Sequence, residues 1–589
     1  MTDSHPAPAN AQGAQGGALG GVVPPSIGRP WLAALFFLVA TVFMTWPLAV
    51  APGDQYTGRQ DFYLNLWILD WVAQAVTTPG LEIFHSDAIF FPRGVGLETQ
   101  PLSLVQTIPA IPLTLAFGPM VTFNLLALFG FWFAGWVASL WVTSLTGDQV
   151  AGLLGGSLFT FSVYHYTYLP QMGMAMIGFL PLFMLADLAF TRRPTMGKAI
   201  LSGMALAVVG MGAWYYGIIA GITAAALSAR RVIGALREKQ PGHLRCEAVF
   251  WIACLATMAP VVLRMLPAYT GESNPSGETE YAGMGIVMEH LKATQATMGI
   301  WSFAGIVGLV FACLGCRPFR ARWGLVVMAL GYFALSAGST LSLGDIELGM
   351  PYAWLQHLPV VSTVRYPDRF FILAQLALAA LAGFGLARLR VRWNLKPAVL
   401  GLILVLPLAE VWPGPLPSVP TTGSIPIPAP SPGDEGAVVT VPTTYRNLDG
   451  EVLYHQTHHG RAVAGGYVTR RDRQLTKNIT KSETLGVFAE RRPVTLPKKL
   501  PKKLAESGVS WVYVQRSQWV DGAPTDPLSI KGPFALGGAT YLRQRYFPRY
   551  KASRVLADDA PLWEAALDES LGEPVASGPR FVLYKVTAP

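Results

Sequence analysis

Three stretches of this chain carry side chains of types that do chemistry. In GRQDFYLNLWILDW, Asp61 heads a run from Phe62 to Val76 that alternates apolar and polar residues at helical spacing. A carboxylate there either caps a helix N-terminus or serves as a general base facing a cavity. Asp70, about one face repeat further on, reads either as a second site carboxylate or as a solvated residue of the polar face. In FSVYHYTYLPQ (161–171), His165 and Gln171 stand among aromatic residues. His165 is either an interfacial hydrogen bonder or a cavity-lining group, and the Tyr215–Tyr216 pair reads the same way. In MPYAWLQHLPVVSTVRYPDRF (350–370), Arg365 and Arg369 flank Pro367 and Asp368. A planar guanidinium pairs well with phosphate. The partner is either a lipid-linked phosphate or pyrophosphate at a bilayer edge, or a carboxylate such as Asp368.

Other reactive types read as structural. Cys246, Cys254, Cys313 and Cys316 lie in or beside apolar runs, and the two thiols of Cys313-x-x-Cys316 do not complete a tetrahedral zinc site. His458 and His459 are adjacent, which in a strand sends them to opposite faces, so with His455 they read as surface histidines rather than a metal site. Asn478–Thr480 is a sequon by pattern only.

The elements that must hold these residues are mostly apolar helices. Hydrophobic residues make up 52% of the 589 residues, charged residues 13%, and the mean hydropathy is +0.38. A soluble globular chain is about a quarter charged, so most of this one belongs in lipid. Spans are expected near 31–50, 119–145, 149–166, 172–191, 197–213, 214–229, 247–265, 297–315, 323–341, 368–387 and 397–413. The run 101–117 is bounded by Pro and Gly and is placed as a juxtamembrane or re-entrant segment. That makes about eleven crossings, each needing roughly 20 apolar residues.

Charge orients the helices. Arg192, Arg193 and Lys198; Arg230, Arg231, Arg237, Lys239 and Arg245; Arg317, Arg320 and Arg322; and Arg388, Arg390, Arg392 and Lys396 fall in loops separated by two spans. These basic loops mark the cytoplasmic face. The opposite loops are acidic or neutral: residues 51–100 hold Asp54, Asp61, Asp70, Glu82, Asp87 and Glu98 against Arg59 and Arg93. The net charge of +9 is therefore a membrane-anchoring pattern, with no nucleic-acid partner expected.

The remaining segments are polar or mixed. Residues 1–29 read as a disordered cytoplasmic tail. The outer loop 51–118 is the longest before the linker and is expected to be functional. Its 62–76 helix is expected to lie on the bilayer surface. Residues 414–432 are a Pro-rich, extended linker. Residues 433–589 read as an extracytoplasmic α/β domain with strands at 437–442, 510–515 and 580–586 and a basic helix at 497–508 that ends at Gly508.

A first helix, a long acidic outer loop with an early Asp, and a Pro-flanked apolar segment resemble the GT-C glycosyltransferase superfamily. Ile89–Pro101 (IFFPRGVGLETQP), Pro351–Leu389 and His455–Arg470 (HQTHHGRAVAGGYVTR) resemble, more narrowly, bacterial YfhO-like polytopic membrane proteins. The resemblance implies a bacterial cytoplasmic-membrane enzyme, N-terminus inside, that moves sugar from a polyprenyl-phosphate donor to a glycan, lipid or protein acceptor on the outer face. It places the catalytic base at Asp61; the residue types and positions add Arg365, Arg369, His165, Gln171, Asp70 and Glu98 as expected substrate-binding groups. The usual second acid beside the Asp is missing, since Gln60 and Phe62 flank it. A divalent metal cofactor is therefore left open. A transporter or flippase, or a non-catalytic envelope scaffold, is the alternative reading.

Overall fold

The structure is a computed structural model that describes residues 29–56, 60–270, 301–343, 346–358, 361, 364, 366–412, 414–416, 425–443, 449–469, 473–490, 493, 496–497, 499–516, 552–579 and 581–587. Residues 1–28 of the expected tail, residues 271–300, residues 417–424 of the linker and Arg365 lie outside the described residues.

The chain is mostly helical. Its helical part comprises α1 (Pro30–Met44), α2 (Gln60–Thr77), α3 (Leu104–Thr146), α4 (Gln149–Thr160), α5 (Val163–Thr167), α6 (Met172–Ala175), α7 (Phe179–Arg192), α8 (Met196–Gly212), α9 (Trp214–Arg237) and α10 (Pro241–Thr270). It continues with α11 (Trp301–Gly315), α12 (Phe319–Ser336), α13 (Tyr352–Leu355), α14 (Phe371–Trp393) and α15 (Pro397–Val411). Among the described residues four helices are long and apolar enough to cross a membrane: α3, α9, α10, and α14 extended back to Pro367. Four shorter apolar helices accompany them. Leu201, Ile252, Leu255, Leu263 and Leu330 stand exposed on the bundle's flanks, as lipid-facing side chains do and as water-facing ones rarely do in such number.

Two expected spans are broken. The 149–166 run stops at Thr160 and resumes as α5, and the 172–191 run divides at residues 176–178 into α6 and α7. Ser162 holds extended backbone between α4 and α5, and Met176 (φ −85°, ψ 49°) leaves helical geometry after α6. The 101–117 segment is helical but separate from the span that follows, because Gly118 (φ 79°, ψ 168°) breaks α3 ahead of Pro119. The positive φ suits a residue without a Cβ.

A buried charge cluster ties the basic ends of α7, α9 and α10 together. Arg231 bonds Asp187 at 2.8 Å and also pairs with Glu247, and its guanidinium lies 4.8 Å from the Phe190 ring. Arg390, in the last turn of α14, pairs with Asp148, whose carboxylate also caps α4 by accepting from the Val150 and Ala151 amides.

Strands β1 (His85–Ser86) and β2 (Val95–Gly96) pair, as do β3 (Thr340–Leu343) and β4 (Ile346–Gly349), and the C-terminal region holds a four-stranded sheet, β5 (Ala437–Val441), β6 (Val509–Gln515), β7 (Ala576–Gly578) and β8 (Phe581–Lys585), in the order β5-β6-β8-β7. β5 and β6 are parallel, and the other pairs are antiparallel. Helices α16 (Asp449–His459), α17 (Arg473–Thr480), α18 (Leu500–Glu506) and α19 (Ala552–Leu571) belong to the same region. The expected strands sit where their β-branched and aromatic runs placed them. The expected basic helix ends at Gly508, which has φ +75°. The second half of the linker is not a free spacer. Ile425 and Ile427 are buried in this core, and Arg461, 1% exposed, donates to the Pro428, Ala429, Asp434 and Gly436 carbonyls.

The expectation for α2 is corrected. Phe62 through Ala73 are almost all buried inside the protein, so the helix does not lie on a bilayer surface. Its side chains pack partly against Phe123 and Met172 and partly into the core of the C-terminal sheet, through Leu64, Trp67, Ile68 and Trp71. A helix apolar on more than one side is a buried helix. The rest of the first loop adds backbone bonds to that region: Phe90 N–H to Gly465 O at 3.0 Å, Phe91 N–H to Val463 O at 3.0 Å, and Val463 N–H to Ala88 O at 3.0 Å.

Candidate active site

A cavity of about 350 Å³ lies where the first loop, the 161–175 turn, the α8–α9 junction and the C-terminal region meet. Asp61, Gln171, Glu98 and Arg369 all line it, so four of the seven expected site residues share one chamber.

Asp61 stands in the first turn of α2, where the helix dipole complements a negative charge. Its carboxylate does not cap that helix. Oδ2 accepts from Gln171 Nε2 at 2.6 Å, and Oδ1 accepts from the Tyr467 hydroxyl at 2.8 Å. Gln171 is brought there because the 161–175 turn abuts α2, a contact secured by Asn65 Nδ2, which donates to Pro170 O at 3.2 Å. Close approach does the rest. A Cβ on Gly173 would fall 2.5 Å from Ser103 Oγ and 2.6 Å from Gly212 O, so the turn, the 103 region and the α8 end can touch only if residue 173 is glycine.

Arg369 forms part of another wall. It sits in a short 3-10 turn, Pro367–Phe370, and is 5% exposed. Its guanidinium stacks on Tyr215 at 3.7 Å and also faces Tyr366 and Tyr168. Its Nε and Nη1 are buried without a hydrogen-bond partner, and among the described residues it forms no ion pair. For Arg369 the expected alternative, a pair with Asp368, is not seen among the described residues; Asp368 Oδ2 accepts from the Tyr168 hydroxyl at 2.8 Å. A buried guanidinium with two idle N–H groups costs several kcal/mol unless an anion meets it. Stacked aromatic faces hold the plane and offset part of that cost without using any N–H.

Glu98 lies towards the α10 side of the cavity. Arg264 of α10 stands 3.9 Å from Glu98 and 3.4 Å from Glu82.

Two expected site residues are elsewhere. His165 is fully buried, with its ring 3.9 Å from the Phe131 centroid. Its two ring nitrogens face Thr160 O at 2.9 Å and Ala175 O at 2.7 Å, so it fastens the broken helix ends of α4 and α6 and does not line the cavity. Asp70 is also off the cavity. Its carboxylate accepts from Gln74 at 2.5 Å, and burial pushes its pKa up to about 6 despite that bond.

Both Asp61 oxygens face hydrogen-bond donors. Among the described residues no three His, Cys, Asp or Glu side chains gather as a metal site, whereas hard cations take several oxygen ligands. His455 is not a surface residue: it lies near Glu451 at 3.9 Å on α16, and His459 is buried and accepts from the Arg461 amide.

Tyr215, Tyr467, Thr469 and Gln100 were not singled out as site residues. Signals existed for the last three, since Gln100 and Tyr467–Thr469 fall in two of the stretches that carry the family resemblance. Tyr215 resembled any interfacial tyrosine.

No family model and no curated protein matches the sequence. Among solved structures the chain is similar to the oligosaccharyltransferase of Archaeoglobus fulgidus in complex with Zn and sulfate, at 13% identity, covering 83% of this chain and 68% of that one, with a TM-score of 0.44. The archaeal oligosaccharyltransferase AglB from Archaeoglobus fulgidus with an inhibitory peptide and a dolichol-phosphate matches at 10% identity, covering 82% and 69%, with a TM-score of 0.42. ArnT from Cupriavidus metallidurans bound to undecaprenyl phosphate matches at 12% identity over 95% of this chain and 99% of that one, with a TM-score of 0.47. The narrower YfhO-like resemblance gains nothing from these matches.

Proposed function

We propose that this chain is a membrane glycosyltransferase of the GT-C type that takes its sugar from a polyprenyl-phosphate donor. The observation that carries the reading is one cavity with a carboxylate held by two neutral donors, Asp61, on one wall and a buried, unsatisfied guanidinium, Arg369, on another. In this reading the acceptor hydroxyl loses its proton to Asp61 as its oxygen attacks the anomeric carbon. The bond from that carbon to the phosphate oxygen breaks, and the phosphate leaves with its electron pair. Arg369 supplies its two free N–H groups to the charge that develops there. Glu98 offers a further hydroxyl-binding group on the cavity wall. No step uses a metal. The bundle crosses the cytoplasmic membrane about eleven times, with the cavity and the C-terminal region on the outer face, where an envelope glycan, lipid or protein accepts the sugar.

The test pairs two variants in reconstituted membranes. Asp61→Asn is expected to cut release of polyprenyl phosphate from lipid-linked sugars about 10²- to 10⁴-fold while leaving undecaprenyl phosphate binding intact. Arg369→Ala is expected to weaken that binding by roughly 10- to 100-fold, the worth of a charge-assisted bond. Normal transfer by Asp61→Asn would remove the assignment.

A further inference from the structure

We infer that Tyr467 is a positioning residue for Asp61, so that the active site is complete only when the C-terminal region is docked on the first loop. The inference deepens the proposed function and rests on Asp61 being its base. An ionised carboxylate only accepts hydrogen bonds, so the 2.8 Å contact is the Tyr467 hydroxyl donating to Oδ1. Gln171 holds Oδ2 from the opposite side. The carboxylate is thus tethered by two neutral donors, one from the helical bundle and one from a residue 406 positions away. The tethers fix its plane and leave its remaining lone pairs for a proton.

The placement of Tyr467 is itself fixed on both sides. Upstream, Gly465 O accepts from the Phe90 amide at 3.0 Å. Gly466, at φ +150°, leaves room for Ile89 and Phe90, which would lie 3.3 Å from any Cβ there. Downstream, Gln100 Oε1 accepts from both the amide and the hydroxyl of Thr469 at 2.9 Å. The stretch 465–469 is therefore pinned to the first loop at both ends, with the phenol in its middle.

The test compares full-length wild type, Asp61→Asn and Tyr467→Phe in nanodiscs, with lipid-linked sugars extracted from host membranes as donor. Tyr467→Phe keeps the ring and its packing and removes only the donor O–H. It is expected to lower turnover about 10- to 100-fold with the donor KM and undecaprenyl phosphate binding unchanged. A purely packing role predicts wild-type turnover, and that result, with Asp61→Asn inactive, would overturn the inference while sparing the function. An active Asp61→Asn would overturn both. Should Tyr467→Phe melt early, Gln100→Ala releases Thr469 without touching the phenol. It is expected to slow turnover at constant donor KM, and unchanged turnover would again overturn the inference.

Discussion

Asp70 and Asp61 sit on the same helix, yet the chain treats them oppositely. Asp61 is met by two donors from other elements. Asp70 has only Gln74, and burial holds its pKa near 6, above the ordinary 3.8. The folded state therefore keeps a proton that the unfolded chain releases between pH about 4 and 6, and stability falls as pH rises through that window. Above pH 6 the cost is constant. Replacing Asp70 by Asn is expected to raise the melting temperature at pH 7.5 and to make no difference below pH 4, as read from thermal melts across that range. Sequence spacing marked both carboxylates as candidates. It could not separate them, because what separates them, the Gln171 amide and the Tyr467 phenol, arrives from elsewhere in the chain. His165 misled for the same reason: its type suggested chemistry, while two backbone carbonyls set its role.

At the scale of elements, hydropathy located the helices and missed their breaks. The run at 149–166 is apolar enough for one span, but Ser162 interrupts the helical path and begins the turn that carries Gln171 to Asp61. The amphipathic pattern of α2 predicts the helix but not its surroundings: its polar positions serve other parts of the protein, Asn65 donating to Pro170 O and Asp61 accepting from Gln171 and Tyr467. The bundle's basic end depends on a charge cluster no pattern showed. Asp187 and Glu247 both lean on Arg231, and removing a buried partner strands the others. Arg231→Ala is expected to cost about 3–5 kcal/mol, seen as a lower melting temperature in detergent. Arg231→Ala with Asp187→Asn and Glu247→Gln should recover part of it.

On the scale of the whole molecule, three stretches that lie far apart in the sequence converge on one chamber: 89–101, 351–389 and 455–470. The first and last meet directly. Trp67 marks their junction, 1% exposed, stacked on Trp71 at 5.6 Å and donating to Gln456 at 2.9 Å. Trp67→Ala is expected to destabilise the chain by about 3–5 kcal/mol. Limited proteolysis should then cut the first loop and the C-terminal region at the same protease concentration, because each is the other's cover. Local patterns identify elements but not which distant surfaces they cover, so this union was visible in the sequence only as a set of unexplained motifs.

The hydrogen bonds from Phe90 and Phe91 to Gly465 and Val463 span some 370 positions, and they set a clock on synthesis. At about 5–20 residues per second, the ribosome needs roughly 20–75 seconds to travel from one side of that pairing to the other. Throughout that interval Trp67, Ile89 and Phe90 lack their partners from the C-terminal region, and a chain that stalls before residue 465 is left with an apolar surface open to proteases and chaperones.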